Sequence, residues 1–324
     1  MTSHSFDAPV TAALFDVSGQ VAFALGDGTV RFEDGSVAEV HDGAILSACV
    51  HPSGQGVVTG GDDGRVVWST SDQAQELADM RGSWIDAVAA SSASGLIAFL
   101  SGKTVTVLDP ADPHYRRDFV HERSVADIAF EPKGRKLACA TYGGVATWFA
   151  RIETQKPTFL KWAGSHTRVL YAPDGAFLMS AMQENQLHGW RLKDSKDLRM
   201  GGYPAKIRDM VFFDQGRLMA TSGAHGAVVW PFVGAGGPMG KEASELGFEE
   251  GVAVVRVAAT PRGPMLAAGL ADGRVWAMDV RTGPQRWIVA ERGAPVTALA
   301  VREDGGRLAW GREDGEAGVA DLAT

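Results

Sequence analysis

Two aspartates and two arginines alternate at one recurring place in this sequence. Asp127, Arg168, Asp209 and Arg256 each hold the third position of a short apolar strand, and the four strands follow one another at a spacing of about 40 residues. Paired carboxylates such as Asp127 and Asp209, if brought together, could ligate a metal ion or divide the roles of general acid and general base. The intervening arginines oppose that chemistry, because each would neutralise a carboxylate and depress its pKa. The alternation therefore favours ion pairing between neighbouring strands, then recognition of a partner, with catalysis last. Arg208, Trp84 and Trp162 are expected beside any protein-binding face, since arginine and aromatic side chains dominate interface hot spots.

Three other stretches carry residues with chemical potential. VVTGGDDGRVVWST, Val57 to Thr70, sets glycines and aspartates between β-branched runs. It reads as a phosphate cradle, an acidic metal site or a hairpin, and an Asp-Gly between strand-like runs is a strong hairpin signal. GAGGPMGKE, Gly234 to Glu242, approaches a phosphate-binding loop, but Ala235 stands at the first glycine position and Glu242 replaces the hydroxyl that would hold magnesium. It is expected to be a flexible insertion. The eight histidines form no H-x-x-x-H pair, and the chain has no C-x-x-C and no G-x-S-x-G, so the sequence signals no metal site, no cofactor and no serine nucleophile.

The elements that would position these residues are repeated. The Asp-Gly hairpin recurs in FALGDGTVRFED, LAAGLADGRVWAMD and LAWGREDGEAGVAD, with looser copies that bring the total to eight. Before each hairpin comes a short apolar strand and a turn ending in glycine, as in CVHPSG, AFEPKG and LYAPDG. The turn glycines are Gly19, Gly54, Gly95, Gly134, Gly175, Gly216, Gly263 and Gly305, separated by 35, 41, 39, 41, 41, 47 and 42 residues. A period near 40 marks an array of like units. Each unit supplies three strands, and the linkers SVAEV, QELADM, RRDFV, PTFLKW, LRMGGY, ELGF and RWIVA supply a fourth. KEASELGF is the one segment with the look of a short helix.

Four strands per unit, the F/Y-x-P-x-G turn of FEPKG and YAPDG, and the D-G-T/R-V turn of DGTV and DGRV resemble the WD40 repeat family, over nearly the whole chain. The resemblance implies an all-β fold, a β-propeller of four-stranded blades, with eight blades expected and seven the alternative. Residues 1–324 then form a single domain whose first strands line a channel. The sequence also departs from the family, because none of its nine tryptophans is followed by aspartate. Trp68, Trp148, Trp190 and Trp230 fall one position before the family's tryptophan and are expected as core fillers. The family stabilises its blades with a histidine before the first strand and an aspartate at the last hairpin. Only the second unit keeps both, as His41 and Asp63; the fourth keeps His121 but has Gly143 at the aspartate position. A divergent, bacterial member is implied.

The eighth unit lacks an outer strand, and the amino terminus is the only unassigned segment. Ser3 to Asp7, with Phe6 inward, is therefore expected to pair with Ala317 to Leu322 and close the propeller.

A formal charge of −8 over 324 residues argues against nucleic acid, which needs a basic stripe to release counterions. The nearest approach, WRLKDSKDLRMGGYPAKIR, interleaves its cations with aspartates and reads as a solvated edge. The amino terminus carries no leader pattern and no apolar run is long enough to span a bilayer, so no membrane association and a cytoplasmic location are expected. Cys49 and Cys139 lie on separate strands and are expected as free thiols. Together these features point to a noncatalytic scaffold that presents blade loops to a protein or peptide partner. The alternative is a hydrolase or lactonase with its site at the channel mouth.

Overall fold

The computed structural model describes residues 1–322 as short antiparallel strands joined by tight turns. The strands form seven sheets, six of four strands and one of six. The fold is thus an all-β propeller of four-stranded blades, and its seven sheets match the seven-blade alternative and not the eight expected. No helix among the described residues is long and apolar enough to cross a membrane. KEASELGF is not helical; Ser244–Leu246 within it is an outer strand.

The missing sheet has a local cause. Units four and five share one sheet, which contains two 14-residue strands, Lys136–Phe149 and Thr158–Tyr171. The first of these folds back on itself, because Ala150 N–H donates to Arg135 O at 2.9 Å, joining its two ends. Elsewhere the hairpin tip is closed by aspartate: Asp27, Asp63, Asp272 and Asp314 each accept the backbone N–H two residues on, at 3.0, 3.0, 3.4 and 3.2 Å. Gly143 and Gly144, with φ of 90° and 147°, stand at the tip of the fourth unit. No side-chain acceptor closes that turn, and Tyr142 instead pairs with Ser165, across a register shift from the Gly144–Lys161 pair.

The chain gathers into two compact parts, Leu14–Tyr171 and a second made of Met1–Ala13 with the described residues from Ala172 onward. In each, the second strand of a unit is buried on both faces, as in Val57–Gly61 and Met265–Leu270, while outer strands such as Ala74–Asp79 are largely exposed. That is why the second strands read as continuous apolar runs. In the first part Leu96, Leu100, Phe119, Leu137 and Trp148 pack between the third and fourth units. In the second, Phe213, Val254, Leu266 and Trp276 pack between the sixth and seventh units. Of the four tryptophans expected in the core, Trp148 and Trp190 are buried but Trp68 and Trp230 are partly exposed.

A recurrent steric device sets the spacing of neighbouring units. A Cβ added at Gly60 would lie 2.4 Å from Ile85, one at Gly269 2.4 Å from Val296, and one at Gly311 2.4 Å from Val10. In each case a second-strand glycine receives a β-branched side chain of the next unit. Gly269→Ala is therefore expected to destabilise the protein by about 1–3 kcal/mol through overpacking. Urea unfolding checks this, and an unchanged midpoint would show that the strands can part freely.

The amino-terminal strand joins the last unit. Thr2–Ser5 pairs antiparallel with Glu316–Val319, and Phe6 N–H donates to Gly315 O at 3.0 Å. The paired stretch begins one residue earlier than expected, and Phe6 is half-buried beside His4, its ring stacked at 5.7 Å.

Candidate functional site

The alternating acidic and basic positions serve chiefly as lacing between successive first strands. Val88 N–H donates to Ser47 Oγ (3.1 Å), Val169 N–H to Asp127 Oδ2 (2.9 Å) and Val257 N–H to Asp209 Oδ2 (3.3 Å). Arg256 reverses the polarity and donates from Nε to Thr297 O at 2.7 Å. Thr297 in turn donates to Val10 O. The first strands carry few apolar groups at this position, so a polar side chain that satisfies the neighbouring backbone replaces packing. The structure brings Asp127 and Arg168 together at 3.8 Å, with Arg168 half-exposed. Such a loose, solvated pair contributes little. Arg208 and Trp84 are exposed, Trp84 at 63%.

The Asp-Gly hairpin of the second unit carries a denser network. His41 Nδ1 lies 3.0 Å from Asp63 Oδ1 and its Nε2 2.8 Å from Thr59 Oγ1. Asp63 also accepts from Asp42 N–H, Arg65 N–H and Arg65 Nε at 3.0, 3.0 and 2.8 Å. An ionised carboxylate only accepts, so Nδ1 carries the imidazole proton and the neutral Nε2 accepts from Thr59. Burial pushes the Asp63 carboxyl up, but the hydrogen bonds from Arg65, His41 and Asp42 outweigh it and hold the group below the usual carboxylate range.

The same place before the first strand is used with different chemistry in two other units. Tyr203 stands four residues before Ile207, as His41 does before Ile45; its hydroxyl receives Trp230 Nε1–H at 2.7 Å and bonds Thr221 Oγ1 at 2.7 Å. His121, four residues before Val125, donates from Nδ1 to Lys103 O at 3.2 Å and accepts Trp148 Nε1–H at 3.0 Å. The tyrosine version escaped the sequence reading because its residue type differs from the family's. The shared offset is the signal that would have found it.

His121 must be neutral to accept the indole proton, and burial lowers its pKa from the ordinary value. Acidification is therefore expected to break the Trp148 bond at a pH below about 6.5, the unperturbed histidine value. Tryptophan emission compared between the parent and Trp148→Phe checks this; parallel pH profiles would refute it.

Sequence alone gave no sign of one exposed concavity of the first part. It is a groove of about 890 Å³ at the tip of the fourth unit. Val120, Tyr142 and Phe159, exposed by 69%, 57% and 40%, form its apolar walls together with Trp162. Arg123, Lys161 and the carboxylate of Glu122 line its mouth. The Arg123 guanidinium lies 4.8 Å from the centroid of the Tyr142 ring and donates to Tyr142 O at 3.4 Å. Polar groups in the floor are already satisfied: Thr141 donates to Ser124 O at 3.0 Å, and His121 and Trp148 bond as above. Of the residues expected at a binding face, only Trp162 is in this groove.

The remaining candidates resolve structurally. Lys241 of the glycine-rich insertion donates to Val233 O and Gly237 O, capping its own loop. Burial pushes the Cys49 thiol up to about 12 and that of Cys139 higher still, so neither is a thiolate at neutral pH. Among the described residues no group of three His, Cys, Asp or Glu is placed to hold a metal ion.

A family model described as WD domain, G-beta repeat, matches residues 36–68, which include His41, Thr59 and Asp63. The chain is 24% identical over 219 residues to telomerase protein component 1 of Rattus norvegicus, a match that covers 66% of this chain and 8% of that much longer protein. Among solved structures, the computationally designed Ika8 protein is similar with a TM-score of 0.80 at 20% identity, covering 99% of this chain and 98% of that one. At that identity the likeness concerns the fold alone.

Proposed function

We propose that this β-propeller, whose residues 36–68 match the WD domain, G-beta repeat model, is a noncatalytic protein-interaction scaffold, a single cytoplasmic domain that presents blade loops to a protein or peptide partner. The fold is typical of such scaffolds. One observation carries the reading: Val120, Tyr142 and Phe159 leave apolar side chains in water around one groove. Exposed apolar surface of this kind marks interaction sites. Arg168 is half-exposed and Arg208 and Trp84 are exposed, so each is open to a partner, and Trp162 belongs to the groove. Asp127, Asp209 and Arg256 each bind backbone of a neighbouring strand, so in a partner site their part would be to hold the strands. The relative named above is, by its printed name, a component of telomerase, which suits a module that works within an assembly.

The test compares proteins captured by the parent chain and by a Tyr142→Ala, Phe159→Ala double variant of unchanged melting temperature. A stoichiometric partner retained by the parent and lost by the variant is expected. Identical capture by both, or hydrolysis of esters or lactones by the purified chain, would overturn the reading. Charge reversal is best confined to Arg168, because altering Asp209 would also remove the acceptor of Val257 N–H.

A further inference from the structure

We propose that the groove bounded by Val120, Arg123, Tyr142, Phe159, Lys161 and Trp162 takes an acidic peptide segment, inserting one bulky apolar side chain between the rings and laying flanking carboxylates on the two cations. The inference rests on the scaffold reading and specifies its partner.

The floor selects for an apolar group. His121, Thr141 and Trp148 spend their polar atoms on one another or on backbone, so an inserted polar group would lose its water without gaining a partner. An apolar side chain has no such cost, and it covers the wet faces of Tyr142 and Phe159. A volume of about 890 Å³ exceeds any single side chain. It accommodates a large side chain with the backbone on either side of it, within the size range of ligand sites.

The mouth selects for negative charge. Elsewhere on this acidic chain the arginines are commonly held by carboxylates, as Arg65 is by Asp63, Arg274 by Glu249 and Arg302 by Asp304. Among the described residues no carboxylate lies within 4.0 Å of Arg123 or Lys161. Glu122 is the single acidic lining residue against these two cations. Arg123 is fixed by the Tyr142 ring and carbonyl, yet one bond to that carbonyl leaves most of its N–H donors for a carboxylate fork. Its guanidinium also occupies a face of Tyr142, which disfavours a cationic ligand seeking that ring. Rings beside cations suit a nucleic-acid base as well, but a formal charge of −8 opposes a phosphate chain.

The test uses four probes on the full chain: the blocked peptides Glu-Glu-Phe-Glu-Glu, Glu-Glu-Ala-Glu-Glu and Lys-Lys-Phe-Lys-Lys, and a short oligothymidylate, each followed by chemical-shift perturbation. The acidic phenylalanine peptide is expected to bind and to perturb Tyr142, Phe159 and Trp162. Loss of the phenylalanine, or Arg123→Glu, should weaken it by about tenfold or more, equivalent to about 1.4 kcal/mol. Arg123→Lys should weaken it less, and Arg262→Glu, at an exposed arginine outside the groove, should leave it unchanged. Equal binding of the lysine peptide, preferential binding of the oligonucleotide, or indifference to Arg123→Glu would overturn the proposal. Failure of all peptides while partner capture still depends on Phe159 would sink this inference and leave the scaffold reading standing. Peptide binding with no protein partner captured would do the reverse.

Discussion

Replacing His41 by alanine is expected to cost about 2–4 kcal/mol of stability, the range for breaking a buried polar network. His41 is the hub: it holds Asp63 through Nδ1 and Thr59 through Nε2, and its side chain is fully buried. Alanine removes both bonds and leaves the Thr59 hydroxyl with Val67 O alone, at 3.3 Å. Little can fill the gap, because Gly61 packs against the network; a Cβ there would stand 2.4 Å from His41 Nδ1 and 2.6 Å from Asp63 Oδ1. A double-mutant cycle with Asp63→Asn should show coupling of about 1–2 kcal/mol between the two side chains. Coupling near zero in urea titrations would mean that packing, not hydrogen bonding, holds the second unit.

The pH dependence of that network has a definite sign. Burial, against the opposing pull of Asp63, lowers the His41 pKa in the folded protein. The unfolded chain then binds the proton more readily, so His41 contributes full stability above about pH 6.5 and loses it as pH falls through the depressed folded value. The Asp63 carboxyl is likewise held low. Its contribution is present above about pH 3.9 and is lost as pH falls further, through its folded value. Both groups make acid destabilising. His41→Ala should flatten the dependence between about pH 8 and 5, while leaving the steeper loss at lower pH. An undiminished slope in that upper window would assign it to another histidine.

The period, the turn glycines and the pairing of the amino-terminal strand were legible in the sequence because they rest on local backbone chemistry. Gly54, with a φ of 82°, closes its turn in a conformation that side chains resist, and Asp63 turns the hairpin by accepting Arg65 N–H. The division into sheets was not legible. It depends on whether Tyr142 finds a partner in Ser165, a pairing between units that strand alternation in one segment does not encode. The role of the alternating charges was partly hidden for the same reason. Strand position places Asp127 and Asp209 correctly, but the backbone donors they satisfy, Val169 and Val257, belong to the following units. The groove was invisible because Val120, Tyr142 and Phe159 are scattered over three strands and read individually as strand formers. They meet in one groove, which Gly143 also lines.

Deletion of residues 1 to 7 is expected to convert a monomer into concentration-dependent oligomers. Thr2–Ser5 covers one edge of the strand Glu316–Asp321, whose other edge is paired with Arg307–Arg312. The fit is close: a Cβ at Gly315 would stand 2.1 Å from Phe6 O, and one at Gly318 2.8 Å from Thr2 O. Each backbone bond contributes a net of about 0.5–1.5 kcal/mol, while ordering each residue costs about 1–2 kcal/mol. These nearly cancel for so short a strand, so the melting temperature should fall by only a few degrees. The larger consequence is chemical. Deletion exposes a row of unpaired donors and acceptors on a strand whose Ala317 and Val319 are buried and apolar, a ready template for a second chain. Sedimentation of the truncated protein across a concentration series reads the effect, and a synthetic peptide of residues 1–9 should suppress it by reoccupying the edge. A truncated chain that stays monomeric with unchanged melting would show that the last unit is stable with three strands.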